Sequence, residues 1–100
     1  MSTKASIAAR ITGTIAAGTY TFNVTDPSNA LTLKVDGLIA GSSLSLLRQN
    51  YAGNGWELVM DNGIPVVLNT LRRTATPREV GTYTVAGTVA AAVALWSEAI

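Results

Sequence analysis

Apolar and polar positions alternate with a period of two along most of this chain, the pattern of strands with one buried face. In residues 19–25, Tyr20, Phe22 and Val24 fall on one face, with Thr and Asn on the other. Residues 31–35 repeat the pattern with Lys34 on the solvent side. Between them, Asp26-Pro27-Ser28-Asn29 reads as a turn, since proline fixes φ and Asp and Asn bond back to the backbone. Residues 43–49 direct Leu44 and Leu46 inward, with Leu47 on the other side or starting a bulge. Tyr51-Ala-Gly-Asn-Gly55 is a glycine-rich hairpin connection. Trp56, Leu58 and Met60 are then predicted to face inward. Asp61-Asn62-Gly63 is the strongest hairpin signal in the chain, because Asn-Gly supplies the positive φ of a tight primed turn. Residues 64–68 form its returning strand, and Pro65 suits an edge or a strand's first residues.

Residues 69–80 form the long irregular segment, with Arg72, Arg73, Pro77, Arg78 and Glu79. Strand character resumes over 82–85, Ala86-Gly87 allows a turn, and 88–96 is a final apolar run. That run also fits a helix, since Val89, Val93 and Trp96 would line one helical face and alanine is the best helix former. Alternation of Val89, Ala91, Val93 and Leu95 favours strand. Residues 1–18, with Ile7, Ala9 and Ile11 alternating, are a first strand or an arm that orders on a partner. Turns recur about every ten residues, which predicts an all-β fold. The expected architecture is a single β-sandwich or jelly-roll-like domain, or a small barrel, of seven to eight short strands, with 19–100 as its body.

Composition narrows the chemistry. There is no His and no Cys, so triad catalysis, thiol chemistry and Cys- or His-ligated metals are excluded. No cofactor is expected. The net charge of +1 recommends neither nucleic acid nor an acidic membrane as partner. The most apolar stretch, 89–96, falls far short of the roughly 20 residues a membrane helix needs. No signal-peptide pattern opens the chain. Asp26, Asp36 and Asp61 sit beside Pro or Gly, where Asp serves turns, and the acids suggest no catalytic pair.

The charge deficit is the anomaly: 13% of residues are charged, where about 25% is usual. A surface paved with Thr, Ser, Asn and Ala is prone to associate, so burial of part of it in an oligomer is expected. Candidate partner-binding residues are Lys4 and Arg10 near the start, Tyr51 in a loop, the basic set Arg72, Arg73 and Arg78, and Trp96 near the end. The arginines suit a partner's carboxylates or phosphates, although a solvated loop is the simpler explanation of them.

From Val35 onward the order of features resembles small virion proteins of tailed bacteriophages, the head-decoration or cement type. The likeness is carried by Val35-Asp-Gly-Leu38, Gly41, Leu44-Ser-Leu46, Trp56 before Asp61-Asn-Gly63, and Gly81-Thr-Tyr-Thr-Val85 before an Ala/Val-rich end. The resemblance implies a non-enzymatic β-sandwich made in the host cytoplasm and assembled on the capsid surface. Its partners would be its own copies, with a homotrimer favoured, and the major capsid protein. The other reading is a receptor- or carbohydrate-binding module, with Tyr51, Asn54 and Trp56 at its site.

Overall fold

The computed structural model describes residues 8–25, 31–77 and 79–99, and among these there is no helix. Ten strands follow one another: β1 (Ala8–Ile15), β2 (Thr21–Val24), β3 (Leu31–Asp36), β4 (Ser43–Gln49), β5 (Trp56–Leu58), β6 (Met60–Asp61), β7 (Ile64–Pro65), β8 (Val67–Leu68), β9 (Thr74–Ala75) and β10 (Gly81–Ala99). All pairings are antiparallel. The all-β expectation holds, and the curled sheet is compatible with a small sandwich-like domain. The expected turn at Asp26–Asn29 lies outside the described residues.

The sheet is organised by β10, which is 19 residues long. Its first half pairs with β2 on one edge and β4 on the other. Its second half pairs with β1 and β3. Here the sequence reading needs correction: Ala86-Gly87 is not a turn, and residues 82–85 and 88–96 belong to one continuous strand. Gly87 serves close approach instead. It lies opposite Leu44 of β4 and Ile15 of β1, and a Cβ there would overlap the Ser43 carbonyl oxygen and sit 3.2 Å from Leu44 Cα. The helical alternative for 88–96 is likewise overturned. Its alternating residues face one core: Tyr83, Val85, Val89, Val93 and Leu95 are all buried.

Opposite them lie Phe22, Val24, Ile11, Ile15, Leu33, Val35, Leu44, Leu46 and Leu68, joined in the same buried cluster. Phe22 and Tyr83 are cross-strand partners whose rings stack at 5.6 Å, 22° from parallel. Thr84 points to the other side yet is fully buried, because the 16–20 turn folds over it. Its hydroxyl accepts from Gly18 N and donates to Tyr20 O, both at 2.8 Å. Trp56, expected in the core, is half-buried instead and lies beside Gly18.

Residues 56–68 depart furthest from the alternation. Both β5 and β8 pair with β4, while β6 and β7 form a separate two-stranded ribbon between them. The Asn62-Gly63 turn closes that ribbon as expected, with φ of 53° and 79°. Leu58 and Met60 are exposed, however, and Val59 packs on the core in their place. The register is the cause: Leu58 lies opposite Leu47, on the face away from the buried Leu46, and Val59, whose N donates to Leu46 O, takes the inward place.

Candidate functional site

The β5–β6 stretch on one side and the chain around β9 on the other border an open groove of about 520 Å³. Leu46, Val66 and Tyr83 lie at its base. One lip is formed by the β5–β6 stretch, with Glu57, Leu58, Met60 and Asp61. The other carries Arg72, Thr76, Pro77 and Glu79.

Strand register explains why these groups meet. Tyr83 lies opposite Arg48, and Arg48 lies opposite Glu57 on the next strand. The guanidinium of Arg48 donates Nη2 to Val80 O at 2.7 Å and Nε to the same oxygen at 3.2 Å. It therefore ties down the chain just before β10. The Tyr83 hydroxyl donates to Glu79 O at 2.6 Å, and burial pushes its phenol above the ordinary range, with the Arg48 charge pulling the other way. Arg72 Nε donates to Thr74 O at 3.2 Å, and the turn before it is held by the Asn69 side chain, which accepts from Leu71 N and Arg72 N. Among the described residues the one ion pair is Lys34–Glu98, so the groove's acids and arginines form none with each other.

Exposed apolar side chains occur in the groove's lining and next to it in the chain. Leu58 and Met60 are about half exposed, Ile64 at the ribbon turn is 67% exposed, and Leu71 beside Arg72 is 94% exposed. Val80, whose carbonyl Arg48 holds, is also exposed. Among the described residues no three of His, Cys, Asp and Glu gather closely enough to hold a metal ion.

The residues singled out from the sequence fall in different places. Of them, Arg72 lines the groove. Arg73 is exposed next to it in the chain, and its carbonyl accepts from Val35 N, fastening the segment to β3. Tyr51 stands fully exposed at the β4–β5 connection, in a turn braced by Asn50 and Asn54. Arg10 and Trp96 belong to a different surface. Arg10 is opposite Ala94, two residues from Trp96 on β10, so both share the outer face of the β1–β10–β3 sheet. On that face Trp96 Nε1 donates to Glu98 Oε1 at 2.7 Å and Lys34 Nζ to Oε2 at 2.8 Å. The Lys34 bond, then the Trp96 bond, holds the Glu98 carboxyl below its usual range. Trp96 is thus half-buried and fixed in place. Lys4 and Arg78 lie outside the described residues.

Reading the chain alone missed the groove. Glu57 passed as the polar half of an alternation and Asp61 as a turn residue. Arg48 carried no signal except its position after Leu46-Leu47 in a strand. No family model, curated protein or solved structure matches this chain.

Proposed function

We propose that this protein is a non-enzymatic structural subunit that self-associates and is incorporated into a larger shell. In its specific form, it decorates or cements the capsid of a tailed phage, as a trimer bound to the major capsid protein after synthesis in the host cytoplasm. One observation carries the reading. Leu58 and Met60 line the groove half-exposed, and Ile64, Leu71 and Val80, each paired with or next to another lining residue, are exposed as well, on a chain with few charges to keep it apart from its copies. The phage-specific part rests on the ordered turn and strand signals from Val35 to Val85. Light scattering after size exclusion, followed by co-sedimentation with tailed-phage capsids, tests both parts. A chain that stays monomeric and does not sediment with capsids overturns the proposal.

The Tyr51 turn supports a second reading, a carbohydrate- or receptor-binding module. A fully exposed ring beside the Asn50–Asn54 amides is a surface on which a sugar stacks. Trp56 lies against Gly18 rather than beside Tyr51, which leaves that site a single aromatic. Glycan binding lost in Tyr51→Ala would favour this reading.

A further inference from the structure

The groove has two unlike lips. The ribbon side is apolar and acidic, with Leu58, Met60, Glu57 and Asp61 lining the groove and Ile64 adjoining them. The opposite side carries Arg72, flanked by the exposed Leu71 and Arg73, with Glu79 further along the same lip, so its arginines outnumber its acid. Among the described residues these charges form no ion pair, and the Arg72 guanidinium donates Nε to the Thr74 carbonyl two residues on. Glu57 and Asp61 are exposed and therefore retain acceptor capacity.

We infer that the occupant of this surface is a second copy of the chain, with the acidic ribbon lip of one copy docking on the Leu71–Arg72 lip of the next. Met60 and Ile64 are placed to cover Leu71, while Asp61 and Glu57 meet Arg72. Each part of the contact thereby removes something a lone copy leaves open: apolar surface on both sides and unpaired charge of opposite sign. The two lips are different surfaces of one chain, so the contact runs head to tail, the kind that builds a ring such as a trimer when its rotation closes. The inference rests on the self-association proposed above and names the face that carries it. A partner of unrelated sequence would need neither the match of sign nor the match of apolar surface between the lips.

Charge exchange tests it in the full-length chain. Sedimentation velocity would compare the parent with Asp61→Arg, Arg72→Asp and the double variant. Each single change sets like charges against each other and is expected to weaken association roughly thirty-fold or more. The double variant restores opposite signs and returns association to within a few-fold of the parent. Because Asp61 belongs to the ribbon turn, Glu57→Arg provides an independent reversal on the same lip should Asp61→Arg fail to fold. Single variants that associate like the parent, or a double variant as weak as the singles, overturn the docking face while leaving self-association standing. A parent that is monomeric throughout overturns both.

Discussion

Replacing Gly87 with alanine tests the central feature of the fold, the unbroken run of β10 between two partners. The added methyl would overlap the Ser43 carbonyl oxygen and lie 3.0 Å from its carbon and 3.2 Å from Leu44 Cα. These are backbone atoms in a paired strand, so no side-chain rotation relieves the clash. The strands must part locally. Overpacking of this kind costs about 3 kcal/mol. Weakening one or two ladder hydrogen bonds between β4 and β10 adds about 1 kcal/mol each. The smaller conformational freedom of alanine in the unfolded chain offsets about 1 kcal/mol, while the positive φ of 155° at Gly87, unfavourable for an L residue, makes the resulting total a lower bound. The net loss of about 3–4 kcal/mol is a large part of the 5–15 kcal/mol typical of a small domain. At this chain length it corresponds to a fall in Tm of roughly 12–30 °C.

Gly13→Ala is the control. That glycine has φ of 81° with nothing within 4 Å of a Cβ, so alanine there costs only the strain of a left-handed backbone, about 1–2 kcal/mol. Thermal and urea unfolding followed by circular dichroism should rank Gly87→Ala well below Gly13→Ala, which in turn melts a little below the parent. If the two variants melt together, Gly87 is merely a turn glycine. The close approach of β4 to β10, and with it the continuous strand, would then be refuted.

Three further outcomes follow from the hydrogen bonds. Thr84→Val leaves Gly18 N–H and Tyr20 C=O without their hydroxyl partner and should cost about 2 kcal/mol in urea unfolding, most of it recovered by Thr84→Ser. Raised by burial, the Tyr83 phenol stabilises the fold fully below the unfolded tyrosine value near 10 and loses that contribution as pH rises through the folded value. Alkaline unfolding should therefore shift in Tyr83→Phe relative to the parent. Because the Glu98 carboxyl is held below its usual range, its bonds to Lys34 and Trp96 are intact above about pH 4.5 and are lost as pH falls through the folded value. In a Trp56→Phe background, acid should change Trp96 fluorescence, and the change should vanish in Glu98→Gln.

Where one face of a strand is buried and the other wet, the sequence was a sufficient guide. Phe22 and Val24, Leu33 and Val35, and Leu44 and Leu46 all point where alternation puts them. Asn62-Gly63 was legible because turn chemistry is local. Gly87 was misread because the same missing Cβ serves a tight turn and a close crossing, and only the partner strand distinguishes them. Leu58 and Met60 were misread for a related reason. Alternation says that two residues share a face, but not that anything covers it. The groove was hidden for a third reason. Arg48, Glu57 and Tyr83 meet through the registers of three strands, which no short window of the chain contains.

These misreadings converge on one region. The pairing on β4 gives the inward positions to the small β-branched Val59 and Val66 and leaves Leu58, Met60 and Ile64 outward. A two-residue ribbon on its own is only marginally stable, and each of those apolar groups in water is a cost to a chain of this length. Among the described residues the core is closed by Val59, Val66 and Leu68 without them. Thr or Ser at the same positions would suit a lone subunit better and would match the rest of its surface. The proposed self-association is what would account for their chemistry. The basic, apolar lip across the groove supplies a surface of the matching kind on every other copy.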